Sequence, residues 1–213
     1  LTPSARWELT LGLRHDEIEF DVADRFISDG NDSGDLKLEE TSPTFALLYR
    51  LSPRVNLYTN ISTSFETPTT AELANPTGGG GFNPALQPQL AQNYEVGVKG
   101  ALGERSHFSL ALFRVDVEDE LIPFEIPGFP GRSFFRNAGE SRRKGLELGL
   151  ATSPIQGLDL SLSYTDSDFT FSQFLDAAGN DFAGNKIPGL PDQLLHAQAE
   201  YRHPRGWFGA VEA

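Results

Sequence analysis

FFRNAGESRRKGLELGL, residues 134–150, passes from aromatic residues through three consecutive cations, Arg142, Arg143 and Lys144, into an alternation of Leu146, Leu148 and Leu150 with Glu147 and Gly149. Side chains recurring at every second residue share one face of a strand, whereas a helix needs apolar positions three and four apart. The stretch therefore reads as a strand with one apolar and one polar face, headed by a basic rim. The same period returns along the chain at Trp7, Leu9, Leu11 and Leu13, at Val55, Leu57, Thr59, Ile61, Thr63 and Phe65, and at Tyr94, Val96 and Val98. It recurs at Leu158, Leu160, Leu162 and Tyr164, and at Leu195, Ala197, Ala199 and Tyr201. Weaker strands cover 45–49 and 108–117; the second is apolar on both faces in its middle, so its phase stays open.

The connections sort by length. LSPR (51–54), GERS (103–106), SPIQG (153–157) and HPRG (203–206) are short and carry Pro or Gly where a tight reversal needs it. Residues 21–40, 66–92, 122–133 and 172–189 are long, and the two kinds alternate. In an antiparallel meander this places every short turn at one end and every long loop at the other, the arrangement of an outer-membrane barrel with short periplasmic turns and long extracellular loops. A soluble sandwich is the alternative, but its strands run to about 5–6 residues and its connections need not sort. In the barrel reading residues 145–151 climb roughly 18 Å through the apolar layer, which sets the basic run at the outer rim. By parity Arg142 and Lys144 share the outward face of Leu146, where they reach lipid phosphates or solvent, and Arg143 shares the lumen with Glu147, where it meets an anionic solute or pairs with a carboxylate.

Composition narrows the function classes. The net charge is −13, from 17 basic and 30 acidic residues, which opposes a broad nucleic-acid footprint. There is no Cys, hence no thiolate metal site or thiol nucleophile, and no run approaches the 18 or so apolar residues of a membrane helix. The chain starts at Leu1 and contains no Met, so it is expected to be a fragment. The 21 Gly, 14 Pro and 16 Phe favour many strands joined by turns.

The residues resemble TonB-dependent outer-membrane receptors. FFRNAGESRRKGLELGL is similar to that family's aromatic, Asn-Ala-Gly, basic-Gly-aliphatic-Glu segment, and NLYTNISTSFETPTTAEL (56–73) and LQPQLAQNYEVGVKG (86–100) occur in the family's order. SLALFRVDVEDELI (109–122) and IPGLPDQLLHAQAEY (187–201) also fit, and Gln89 departs from the pattern where the family often carries an acid. The resemblance implies an all-β, antiparallel transmembrane barrel, of which residues 1–213 supply about nine of 22 strands. It places the chain in the outer membrane of a Gram-negative bacterium, without the plug, the TonB-contacting segment, and the early and closing strands. The FETPTTAEL stretch most resembles ferric siderophore receptors, so the expected partners are a ferric siderophore or other large nutrient, the TonB complex acting through the plug, and outer-membrane lipid. Alternatives are a receptor for haem, cobalamin or a glycan, and a passive pore or adhesive barrel.

Candidate ligand-binding residues are Phe82, Phe124 and Phe129 on the long loops, with Arg132, Arg136 and Arg143, because aromatic faces and guanidinium groups suit an anionic, aromatic-rich chelate. DGNDSGDLKLEE (29–40) sets Asp29, Asn31, Ser33, Asp35 and Glu40 at the spacing of a calcium loop with Gly34 sixth, although strand-like flanks favour a plain exposed loop. No other cofactor is expected. Gly78 to Gly81 lack the strand and Lys-Ser/Thr of a phosphate cradle and read as a loop tip. His15, His107, His196 and His203 show no metal spacing, and no Gly-x-Ser-x-Gly occurs. Glu118, Asp119 and Glu120 split between strand faces and read as lumenal polar groups, so no enzyme is expected.

Overall fold

The computed structural model of the 213-residue chain describes all residues except 1–3, 26, 29, 30, 32, 74, 76–82, 84, 127–130, 132 and 177. Nine strands follow one another: β1 (Trp7–Val22), β2 (Gly34–Ser52), β3 (Val55–Glu66), β4 (Gln89–Ala101), β5 (Ser106–Glu125), β6 (Ser133–Ile155), β7 (Leu158–Phe174), β8 (Gln193–Arg202) and β9 (Phe208–Glu212). They form one antiparallel sheet in chain order, each strand paired with its neighbours in sequence, and the sheet is not closed on itself. Residues 53–54, 102–105, 156–157 and 203–207 link strands at one end, and 23–33, 67–88, 126–132 and 175–192 at the other, so the alternation of short and long connections holds. Gly103, Gly157 and Gly206 take φ of 76°, 82° and 94° in three of the short turns, a backbone region that side chains with a Cβ rarely enter.

Cross-strand rows show why the apolar residues alternate. The row that starts at Leu11 and Phe45 runs through Ile61, Tyr94, Arg114 and Lys144 to Asp168. It is apolar or aromatic on the first four strands and charged on the last three. The row through Leu57, Val98, Leu110 and Leu148 to Tyr164 and Leu195 stays apolar or aromatic throughout. The upper apolar boundary therefore lies at Leu13 on β1, at Tyr94 on β4 and at Tyr164 on β7, slipping about one residue per strand. Six residues at about 3.3 Å against six strand spacings of about 4.8 Å correspond to a slant of about 35°. Barrel strands tilt about 35–45° from the membrane normal, so a flat membrane surface explains the oblique edge.

The expected loop at 21–40 is corrected by β1 and β2, which run on to Val22 and start again at Gly34. Along β1 the apolar positions are odd from Trp7 to Leu13 and even at Ile18, Phe20 and Val22; on β2, Leu36 and Leu38 answer them while Glu17, Glu19, Lys37 and Glu39 take the odd face. The register is unbroken across this inversion, so the surroundings change and not the backbone. Below the boundary the outward face meets hydrocarbon; above it that face meets water and the inward face is covered, with Leu38 only 5% exposed. The expected loop at 122–133 likewise narrows to 126–132, because β5 and β6 continue above the membrane as a tall hairpin.

Candidate functional site

Two constellations stand on the inward face. The lower one is built from two of the quoted motifs. Tyr58 on β3 lies directly opposite Gly97 on β4, and a Cβ at Gly97 would come within 2.6 Å of the Tyr58 ring. The glycine is therefore the space the ring occupies, an aromatic side chain laid across a bare position of the neighbouring strand. The Tyr58 hydroxyl donates to Glu95 Oε1, and Lys99 Nζ stands 5.2 Å from the ring centroid, within cation–π range. Glu-x-Gly-x-Lys, residues 95–99, is thus one cradle for one tyrosine. The same row continues through Ala111 to Glu147. Gly145 repeats the device, since a Cβ there would sit 2.8 Å from the Phe113 ring and 2.3 Å from the Asp166 carbonyl oxygen.

The upper constellation lies where the long loops begin. Thr69 and Glu72 cap a single turn, the Glu72 carboxylate accepting from both the Thr69 amide and hydroxyl at 2.7 and 2.9 Å. That turn seats Leu73, fully buried, near the equally enclosed Leu86, and the Asn83 amide donates to the Leu73 carbonyl. Asn137 on β6 then fastens the returning chain: its Oδ1 accepts from the Gln87 amide at 2.8 Å, and its Nδ2 donates to the carbonyls of Gln87 and Asp119 at 2.9 and 2.7 Å. Gln89, the departure from the family pattern, accepts from the Leu121 amide at 3.0 Å. Asp119 has φ 57° and marks a bulge where the β5–β6 register shifts twice. Asp is among the residues that tolerate this conformation. The bulge turns Glu120 onto the face of Arg143, and the two pair at 2.5 Å.

Of the expected ligand-binding residues, Phe124 and Arg136 come together: the Arg136 guanidinium carbon stands 5.6 Å from the Phe124 ring centroid, and Phe124 lies 6.3 Å from Phe134. Arg136 also donates to the Leu175 carbonyl at 2.9 Å, which ties β6 to the loop after β7. Arg143 sits lower on the same strand and is taken up by Glu120, so the pairing alternative is the one realised. Phe82, Phe129 and Arg132 lie outside the described residues, as do Asp29 and the tetraglycine. Of the calcium spacing, residues 34–40 are strand. Asn31 and Ser33 turn to the backbone, Asn31 Oδ1 accepting from the Ser33 amide and Ser33 Oγ from the Asp24 amide. Asp35 and Glu40 are strand residues opposite Asp21 and Asp16. Five extended residues separate Asp35 from Glu40 by about 16 Å and place them on opposite faces, too far to share an ion.

Two features had no place in the sequence reading. Phe171, Phe174 and Phe182 pack in sequence as tilted pairs, with ring centroids 4.8 and 5.5 Å apart. They are positioned by a doubled Asp-x-Ala-Gly-Asn, residues 176–180 and 181–185, whose signal is the repeat itself. Asp176 accepts from the amides of Ala178 and Asn180 and from the Asn180 side chain, which holds its carboxyl below the ordinary range. The returning segment then runs along the upper part of β7, with backbone bonds from Ile187 to Phe169 and from Gly184 to Phe171. It covers the edge that the short β8 leaves bare.

The sequence profile of the family described as "TonB dependent receptor-like, beta-barrel" matches residues 1–211. The metal-pseudopaline receptor CntO of Pseudomonas aeruginosa is 26% identical over 99% of this chain and 28% of its own length. The ferrioxamine B receptor of Salmonella typhimurium is 31% identical over 79% of the chain and 22% of its own. Among solved structures, the ferric yersiniabactin uptake receptor FyuA of Yersinia pestis overlays with a TM-score of 0.71 at 17% identity, over 99% of this chain and 31% of that one. The ferric-catecholate import receptor Fiu of E. coli overlays at 0.67 with 21% identity, over 93% and 30%. The chain thus spans less than a third of the length of each of these four relatives.

Proposed function

Because the chain belongs to the TonB-dependent receptor β-barrel family and so to the outer membrane of a Gram-negative bacterium, we propose that it forms part of the wall and outer mouth of a receptor for a ferric siderophore or similar metal chelate. The pairing of Phe124 with Arg136 at the base of the long loops carries this reading, since a flat ring and an adjacent guanidinium suit a ligand that is both aromatic and anionic. The proposal is also in line with the relatives, which are named as receptors for metal-pseudopaline and for ferrioxamine B. The substrate is bound at the mouth and passes inward without covalent chemistry. The energy comes from the TonB complex, a separate partner, acting on a plug that occupies the barrel.

Binding of ferric catecholate and hydroxamate chelates to the full-length receptor, measured by fluorescence quenching, tests the proposal. The expected result is saturable binding of one class, weakened about ten-fold or more by Arg136→Ala or Phe124→Ala, as befits loss of a charge-assisted contact. Unchanged affinity in both variants removes the mouth assignment. Saturable binding of haem, cobalamin or a glycan with no chelate bound removes the substrate.

A further inference from the structure

Above Thr44 and Ser62, the last pair of their ladder on that side, β2 and β3 part. β2 continues upward paired with β1 alone, and β3 continues to Glu66 paired with β4 alone. Pro43 explains the fork. The Arg50 amide donates to the Arg6 carbonyl, on the β1 side. Bonding sides alternate along an antiparallel strand, so the amides of even residues of β2 face β1 and those of odd residues face β3. The next bonded pair with β3 would join Pro43 to Thr63, and proline has no N–H to give. Above it the odd backbone positions of residues 35–41 face an open slit, with Thr63 and Phe65 on its far side. Lys37, Glu39 and Thr41 are exposed, and among the described residues no strand pairs with this side of β2 above Thr44.

The slit is roomy and acidic. A cavity of about 480 Å³ opens beside Ser42, Thr63 and Glu66, and one of about 70 Å³ beside Ser42, Thr63, Glu40 and Glu118 continues it. Glu40, Glu66 and Glu118 reach this region from three different strands. Glu40 accepts from the Thr41 amide at 3.0 Å and Glu66 from the Gln89 side chain at 3.3 Å. The nearby cations are already taken, Arg14 by Asp16 and Lys37 by Glu17 and Glu39, which leaves the three carboxylates without a cation among the described residues. A free strand edge is a template for pairing. Like charge turns a second copy of this edge away, whereas a basic strand gains both the ladder bonds and the charge. Pro43 lies opposite Leu13, at the apolar boundary, so the edge stands on the outer, aqueous side.

We propose that the upper edge of β2 is a docking site for an extended basic polypeptide segment that reaches the receptor from outside the cell. The segment adds to β2 as a further strand, its backbone paired with the odd residues from Asp35 to Thr41 and its Lys or Arg side chains set in the slit against Glu40, Glu66 and Glu118. The inference rests on the membrane placement of the family and not on which substrate is transported.

The test uses the full-length receptor in mild detergent and a synthetic peptide of alternating Lys and Thr, about eight residues long, the reach of an ordinary strand. Fluorescence anisotropy reads binding, and hydrogen exchange resolved to single residues reads the amides of Lys37 and Glu39. The expected result is saturable binding that slows their exchange about ten-fold or more. Glu40→Gln/Glu66→Gln/Glu118→Gln should weaken binding by a similar factor. Lys37→Pro removes an amide that faces the slit and leaves the β1 ladder whole. It should also weaken binding, whereas charge alone predicts a gain because a cation is lost. A fully N-methylated peptide of the same charge should bind about ten-fold more weakly or less. Equal binding of the N-methylated peptide, undiminished binding to either variant, or no saturable binding overturns the proposal. So does protection of these amides before peptide is added, which would give the edge to a segment of the receptor itself, or protection that follows receptor concentration, which would give it to a second copy. If either variant fails the heat-modifiability check for a folded barrel, the N-methylated peptide on the unaltered receptor decides.

Discussion

Replacing Asn137 with Ala removes three hydrogen bonds at once, two to the Gln87 peptide and one to the Asp119 carbonyl. A net 0.5–1.5 kcal/mol per bond, taken toward its lower half because the side chain is partly exposed, makes the loss about 1.5–3 kcal/mol. That is a factor of roughly 10 to 150 in the local opening equilibrium, confined to the chain around Gln87 and the bulge at Asp119, since the strand ladders below are untouched. Hydrogen exchange of the full-length receptor, followed by mass spectrometry, measures it. Protection at Gln87 should fall by one to two orders of magnitude, while peptides from the membrane-spanning part of β3 and β4 keep theirs. Asn137→Asp retains the acceptor but loses both donated bonds and should fall between the two. If exchange around Gln87 is the same in a folded Asn137→Ala receptor, the clamp does not hold the loop and the reasoning fails.

Gly97→Ala should destabilise the barrel by about 1–3 kcal/mol through overpacking against the Tyr58 ring; Tyr58→Ala in the same chain should relieve most of it, while Gly145→Ala is not rescued by Phe113→Ala, because the Asp166 carbonyl blocks that site too. Urea titration of the refolded barrel in detergent distinguishes the two cases. Leu150→Arg on the outward face, four residues below the Leu146 edge, should cost about 2–4 kcal/mol, whereas Gly149→Ser, on the lumenal face beside Ser109, should cost less in the same assay. The Asp176 carboxyl is held down by the Asn180 side chain and then by backbone amides. A depressed folded pKa contributes order above the unfolded value of 3.8 and loses it as pH falls through the folded one. Proteolysis at 175–181 should therefore be slow at neutral pH and rise only below the usual carboxylate range, and Asp176→Asn should remove the pH dependence.

Much of the membrane-embedded wall was legible because a bilayer imposes one rule on every strand, apolar outward, and the period of two reports it directly. The parity of Arg142, Arg143 and Lys144 followed from Leu146 for the same reason. The rule stops at the hydrocarbon edge. Above it the apolar positions of β1 and β2 change parity without a bulge, so Asp21 and Val22 and the stretch DLKLEE (35–40) read as loop until the inward face is seen to be covered. At 29–40 the spacing alone does not choose between readings, since oxygen donors at alternate positions describe a coiled loop and a solvated strand equally well. At the site, the motifs were visible as words but not as contacts. Gln87 and Asn137 lie 50 residues apart, and nothing local shows that one fastens the other, or that the small residue of Glu-x-Gly-x-Lys is small to admit Tyr58.

The pairing of each strand with its sequence neighbours has a kinetic side. Each hairpin can zip outward from its own connection, so the first closure spans no more than one connection and every later pair adds little closure entropy. The turns at 53–54 and 156–157 hold their strand ends together before any distant partner arrives. Assembly can then advance one hairpin at a time, and at each stage the newest strand alone adds a fresh row of unpaired N–H and C=O groups, so whatever escorts the chain into the membrane has a single advancing seam to shield.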